Sequence, residues 1–125
     1  MCGDVNVYTP SMKSFSGTVI RGSQRAASLG YPTINIVVDH MTIDGIFAAK
    51  VRINGVDRLA AAFADPLRGI LEAHVLDVHE DFYGLEATIV LHKKIRRNQR
   101  FETDDALKDA MASDVSEVRT YFTNA

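Results

Sequence analysis

The chain has a single cysteine, Cys2, in 125 residues. One thiol forms no internal disulfide, which argues against a cross-linked secreted scaffold and fits a reducing compartment. Neither sign of charge dominates: 14 Lys and Arg face 16 Asp and Glu, for a net charge of −2. No global field is there to hold nucleic acid or an anionic membrane, and neither partner is expected. Apolar runs of membrane-spanning length are missing, and the N-terminus lacks the apolar stretch of a signal peptide, so a soluble cytoplasmic protein is expected. His40, His74, His79 and His92 have no cysteine partners and no His-x-x-x-His pair on a predicted helix, so zinc is not expected. A Gly-x-x-x-x-Gly-Lys-Ser/Thr loop and a Gly-x-Gly-x-x-Gly turn before a helix are also absent. ATP, if it binds, is held without a P-loop or a Rossmann crevice.

What is present is an ordinary globular composition, 46% hydrophobic and 24% charged. The length predicts one domain that buries about two-thirds of its unfolded surface. Residues 1–14 lack a clear period and read as a loose lead-in, leaving 15–125 as the domain, without repeats or low-complexity segments. Phe15, Gly17 and Val19 alternate with Ser16, Thr18 and Ile20, which predicts a first strand. Arg21 to Ser28 is polar and aperiodic and reads as a loop, and a short apolar run follows from Ile34 to Val38. Gly45 to Ile53 and Val56 to Phe63 read as strands joined by Asn54-Gly55, the strongest hairpin signal in the chain. Ile70 to Val78 and Leu85 to Ile95 supply two more. Five or six strands with short turns predict a mainly β fold, a closed or nearly closed antiparallel barrel. The last segment is helical, over about 103–122. Thr103 is a good N-cap, Asp104 and Asp105 suit the positive end of the dipole, and Leu107, Met111, Val115, Val118 and Phe122 make one apolar stripe for packing on the barrel.

Three places carry candidate chemistry. In Leu29-Gly30-Tyr31-Pro32-Thr33-Ile34-Asn35-Ile36, a glycine turn and a proline lead rigidly into a strand. Thr33 and Asn35 fall on one face of it, as oxygen donors suited to a hard cation or a phosphate. A plain structural strand entry would look the same. Glu72 and His74 share a strand face with Ile70 and Leu76. Partial burial there would make Glu72 a general base, whereas full exposure would leave both side chains in water. Lys93 to Arg100 holds five positive charges in eight residues, either a grip for phosphates or RNA or a strand end running into a solvated loop.

In order along the chain, these pieces resemble the riboflavin kinase (flavokinase) family, found alone or fused to an adenylyltransferase domain in FAD synthetases. The matching runs are Gly17-Thr-Val-Ile-Arg-Gly22, Leu29-Gly-Tyr-Pro-Thr-Ile-Asn35, Gly45-Ile-Phe-Ala48, Leu71-Glu-Ala-His-Val-Leu-Asp77, Asp81-Phe-Tyr-Gly84, Ile95-Arg96, Arg100-Phe101 and the helix containing Asp114. The likeness spans about residues 15–122. It implies a six-stranded antiparallel Greek-key barrel with a C-terminal α-helix, which transfers phosphate from ATP to the ribityl 5′-hydroxyl of riboflavin and makes FMN. It implies that Thr33 and Asn35 coordinate Mg²⁺ and, with Pro32, the nucleotide phosphates. The loop from Gly22 through Arg25 to Gly30 would cover the nucleotide, and Glu72 would act as base. The flavin would pack on Ile95, Arg96, Arg100, Phe101 and Leu107.

The chain also departs from the family. Ala26-Ala27 stands where a Gly-Arg pair is usual, Phe63 to Leu67 is a shortened form of an Ile-Gly-x-x-Pro-Thr stretch, and Arg96-Arg97-Asn98 replaces Arg-x-Glu. The leading expectation is therefore a cytoplasmic, monomeric riboflavin kinase whose partners are riboflavin and ATP. Two rivals remain: a non-catalytic flavin- or nucleotide-binding barrel on the same scaffold, and a small RNA-contacting barrel using residues 93–100.

Overall fold

The computed structural model describes residues 12–22 and 25–124. The expected lead-in lies outside the described residues up to residue 11, and Cys2 with it. Six strands follow: β1 (Lys13–Thr18), β2 (Ile34–Val37), β3 (Gly45–Ile53), β4 (Val56–Asp65), β5 (Ile70–Val75) and β6 (Glu86–Arg96). A four-residue helix, α1 (Arg25–Ser28), precedes β2, and a long one, α2 (Asp104–Asn124), ends the chain.

The strands are antiparallel neighbours in the order β1-β6-β3-β4-β5-β2. The two outer strands of that list then meet. Past the end of β1 the Val19 N–H still donates to Leu85 O on the β6 side, and the Ile20 N–H turns to Asn35 O on β2, each at 2.8 Å. That bridge leaves a nearly closed barrel. Gly17 eases the approach, because a Cβ there would lie 3.3 Å from the Cβ of Ile36, closer than most such contacts.

Alternation decides which residues fill the interior. Ile34 and Ile36, Ala49 and Val51, Leu71 and Ala73, and Ile89 and Leu91 point in, with Ala60, Ala62 and Ala64 from β4. Ala60 and Ala64 of β4 stand beside Val75 and Leu71 of β5, the large-and-small filling that a narrow barrel needs. On the outer wall Ala48 and Ala61 stand opposite each other and form a shallow seat. Fully buried Val118 of α2 occupies it, flanked by Val115 and Phe122 of the expected stripe. Thr103 caps α2 as expected, accepting the Ala106 N–H at 3.1 Å. Asn54 and Gly55 have φ of 55° and 77°, the left-handed pair of a two-residue hairpin.

Several boundaries differ from expectation. Residues 25–28 are a helical turn rather than a loop. Ala26-Ala27 favours helix, the Ser28 hydroxyl donates to Arg25 O at 2.7 Å, and the turn closes through Tyr31 N–H to Ala26 O at 2.9 Å. β4 runs on to Asp65, while β5 stops at Val75 rather than Val78, where the chain turns through Asp77 at φ 61°.

Candidate active site

The site grows from the pairing of β2 with β5. Ile34 and Ile36 are committed to the barrel interior, so Thr33 and Asn35 project from the other face. Asn35 stands directly opposite Glu72 in the ladder, and the two side chains therefore share that face. The Thr33 hydroxyl donates to Glu72 Oε2 at 2.8 Å, and Arg68 Nη2 lies 3.8 Å from Oε1. Glu72 does not face water: its side chain is 13% exposed. Burial pushes its carboxyl above the usual carboxylate range, the Thr33 hydrogen bond and the Arg68 charge pull it back, and the nearby Asp65 charge adds to the rise. His74 is half-buried. Its Nδ1–H donates to Pro32 O at 2.8 Å and its ring meets Tyr31 edge-on, so it anchors the segment that presents Thr33.

Two cavities meet at this pair. One, of about 300 Å³, is lined by Arg21, Gly22, Pro32, Thr33, Asn35 and Tyr83 among others. The other, of about 320 Å³, is lined by Glu72 and Arg68 together with Arg96, Arg100, Phe101 and Leu107. The Thr33–Glu72 hydrogen bond is thus a seam with one cavity on each side. Turn helix α1 adds to the partition, with Ala27 on the first cavity and Ala26 on the second.

Asn35 is 2% exposed and its Oδ1 has no hydrogen-bond partner among the described residues. A buried acceptor left unpaired costs about 1–3 kcal/mol, and this one lies on the wall of the first cavity. Gly22 presses against it, since a Cβ at that position would sit 2.4 Å from Asn35 Cγ. Thr33 and Asn35 bring a hydroxyl and a carboxamide oxygen to the same cavity, a donor set that suits a hard cation sharing its shell with phosphates and water. Among the described residues no cluster of three or more His, Cys, Asp or Glu side chains offers a cation another site.

The other candidates divide. Arg25 faces the second cavity rather than the first, and its Nε reaches Asp104 of α2 at 3.1 Å. Gly30 lines neither cavity; its φ of 96° lets the chain leave α1. Ile95 packs beneath α2 with Val115 and Val118 and also lines neither. Arg96 lines the second cavity and is held by two 2.8 Å hydrogen bonds to buried Asp114, with its guanidinium 5.5 Å from the centre of the Phe101 ring. The basic run is not a continuous stripe: Lys94 pairs with Asp44, Arg96 with Asp114, and Arg100 faces the cavity.

Sequence reasoning gave no role to Arg68, Asp65, Asp114 or Arg21, whose guanidinium lies 4.3 Å from the centre of the Tyr83 ring. Only Asp114 carried a signal, an acid between Met111 and Val118 at helical spacing on an otherwise apolar stripe.

A nearly closed six-stranded antiparallel barrel, a helix across its wall and two cavities meeting at one half-buried carboxylate define the class: a small two-cavity β-barrel. Comparison with known proteins supplies the family. The flavokinase family model, described as riboflavin kinase, matches residues 10–122. The chain belongs to that family. It is 33% identical over 118 residues to the bifunctional riboflavin kinase/FMN adenylyltransferase of Escherichia coli (strain K12), covering 87% of this chain but 38% of that protein. A solved structure described as a macrolide-efflux protein from Streptococcus pneumoniae is 27% identical with a TM-score of 0.74, over 85% of this chain and 38% of that one. The riboflavin kinase of Trypanosoma brucei shares the fold, with a TM-score of 0.65 at 23% identity over 90% of this chain and 78% of that one. Among the described residues, no helix is long and apolar enough to cross a membrane.

Proposed function

We propose that this chain transfers the γ-phosphoryl group of ATP to the 5′-hydroxyl of riboflavin, with the nucleotide in the first cavity and the flavin in the second. The observation that carries this reading is the 2.8 Å Thr33–Glu72 hydrogen bond between the two cavities. On this reading a half-buried base on the acceptor side lies within one hydrogen bond of the oxygen donors on the donor side. Phosphoryl transfer asks for that kind of positioning and for charge neutralisation more than for covalent chemistry.

Glu72 takes the proton of the flavin hydroxyl as its oxygen bonds to the γ-phosphorus. The bond from that phosphorus to the bridging oxygen breaks, and ADP leaves. The Thr33 hydroxyl fixes which carboxylate oxygen is turned away and which faces the acceptor. Thr33 Oγ1 and Asn35 Oδ1 are the groups to hold a Mg²⁺, which when bound neutralises the nucleotide phosphates. Pro32, fixed through its carbonyl by His74, keeps both donors in place. Arg96, clamped by Asp114, and Phe101 form a flat wall suited to an aromatic ring system. Both cavities are built from one chain, so the reading takes the working unit as a monomer; it also takes the location as cytoplasmic and, given a net charge of −2, includes no nucleic-acid partner. The adenylyltransferase activity in the relatives' name belongs to those longer proteins.

The test is incubation with riboflavin, ATP and Mg²⁺, followed by chromatography for FMN. Glu72→Gln should lower turnover by about 10²–10⁴-fold while riboflavin still binds. FMN formation unchanged by Glu72→Gln would remove the base from the mechanism. Tight flavin binding with no FMN at all would favour a non-catalytic barrel.

A further inference from the structure

The turn between β4 and β5 carries an arginine on the acceptor side of the seam that the mechanism above leaves unused. Asp65 wraps this turn, accepting the Arg68 backbone N–H at 3.4 Å through Oδ1 and its Nε–H at 2.6 Å through Oδ2. Gly69, at φ 65°, completes the turn, and its carbonyl accepts the Val38 N–H at 2.9 Å, which ties the turn to the strand bearing Thr33 and Asn35. The guanidinium is therefore aimed from a fixed base. Its Nη2 stops 3.8 Å from Glu72 Oε1, too far for a hydrogen bond, and among the described residues neither terminal nitrogen has a hydrogen-bond acceptor. Of the other arginines on this cavity, Arg96 is committed to Asp114 and Arg25 to Asp104, while Arg100 faces it from the stretch between β6 and α2 and makes no ion pair with Glu72. Among the described residues Arg68 is the cation paired at ion-pair distance with Glu72.

Resting on the reading above, we propose that Arg68 is the product-phosphate recognition residue of the second cavity, positioned by Asp65, and that through it the chain distinguishes FMN from riboflavin. Before transfer, Arg68 faces the Glu72 carboxylate. In the transfer the hydroxyl O–H bond breaks, its proton passes to Glu72, the same oxygen bonds to phosphorus, and the bond to ADP breaks. Glu72 is then neutral, and a phosphate hangs from the oxygen it has just deprotonated. The carboxylate charge that attracted Arg68 is gone, and a phosphate has appeared beside it. A guanidinium edge with two unengaged nitrogens matches a phosphate closely. Holding the turn needs only the two bonds to Asp65, through the Arg68 backbone N–H and Nε–H, and leaves both terminal nitrogens free to aim.

The experiment is equilibrium binding of riboflavin and of FMN, read by flavin fluorescence at low salt and mildly alkaline pH. It compares wild type with Arg68→Met, Arg68→Lys and Asp65→Asn, with a thermal melt of each. Arg68→Met should weaken FMN binding by about 10–100-fold and leave riboflavin within about twofold. Arg68→Lys should recover part of the FMN affinity, and Asp65→Asn should show a smaller selective loss. Equal losses for the two flavins, or FMN affinity unchanged in Arg68→Met, would overturn the inference. If wild type makes FMN and Arg68→Met keeps its preference, this inference fails alone. A wild type that binds neither flavin overturns the phosphotransfer reading and this inference with it.

Discussion

Gly22→Ala tests the geometry of the donor cavity most directly. A Cβ at Gly22 would stand 2.4 Å from Asn35 Cγ and 2.5 Å from both Oδ1 and Nδ2. Carbon atoms in contact sit about 3.5–4.0 Å apart, so the overlap is about 1 Å or more. Asn35 has little room to retreat. Its neighbours Ile34 and Ile36 are locked in the barrel, and its carbonyl accepts the Ile20 N–H that closes the barrel. Either the Asn35 side chain swings off its position or the segment at Gly22 backs away from the cavity. Overpacking of this kind costs about 1–3 kcal/mol. If Asn35 Oδ1 positions the phosphates as proposed, displacing it by about 1 Å costs on the order of 10²-fold in rate. The assay is steady-state FMN formation with KM for ATP and for riboflavin measured separately, alongside denaturant melts. The expected outcome is a higher KM for ATP and a lower kcat, with KM for riboflavin nearly unchanged. Repeating the substitution in an Asn35→Ala background, where Cγ is gone, should recover at least about 1 kcal/mol of the stability loss. Wild-type kinetics in Gly22→Ala, or an equal stability loss in both backgrounds, would refute the account of a packed contact between Gly22 and Asn35.

Asp114→Ala strips the buried partner from Arg96 and should cost about 3 kcal/mol, lowering Tm by about 10 °C and raising KM for riboflavin more than KM for ATP; a neutral melt would count against the clamp. Thr33→Ala removes both a cation donor and the hydrogen bond to Glu72, so Mg-nucleotide binding should weaken about tenfold and the acid limb of the pH–rate profile should move to higher pH. Thr33→Ser, which keeps the hydroxyl, should restore both, and a metal titration and pH profile read them. Burial raises the Glu72 carboxyl above its unfolded value, so between the two values the folded state holds more protons and stability falls as pH rises. Glu72→Gln should therefore flatten that slope and be the more stable protein above the window, as urea melts across the acid range will show. An unchanged slope would mean that the burial of Glu72 is not felt by the fold.

Strands were legible where one strand face is buried and the period of two is clean, as in Phe15-Gly17-Val19 and along Leu71, Ala73 and Val75. Asn54-Gly55 announced its hairpin because left-handed φ at two successive residues is a local demand. The α2 stripe was visible for the same kind of reason. Arg25 to Ser28 was misread because four residues are too few for a helical period, and the signal lay in Ala-Ala propensity instead. Thr33, Asn35 and Glu72 were marked as candidates by residue type, and only the family resemblance brought them into one site, since residue pattern alone does not reveal a pairing across 39 residues. Arg68 sits in a turn without periodicity, and its aim is set by Asp65 and by the tie to Val38, neither of which leaves a pattern.

The position of the seam follows from how the barrel closes. β2 precedes β3 in the chain but pairs with β5, and its other edge receives β1 through the Ile20–Asn35 bridge. Asn35 therefore serves twice: its carbonyl completes the barrel, and its side chain offers the unpaired oxygen to the donor cavity. Thr33 is two residues earlier on the same face, already bonded to the β5 carboxylate that looks into the other cavity. The proposed donor and acceptor sites are thus built on two adjacent strands whose relative position is fixed by long-range closure. A backbone shift that loosened the Ile20–Asn35 bridge would move the Asn35 oxygen and the Thr33–Glu72 bond together. If phosphotransfer runs at this seam, closure of the barrel and alignment of the phosphoryl group with its acceptor are a single structural variable, and substitutions at Gly17 should disturb both.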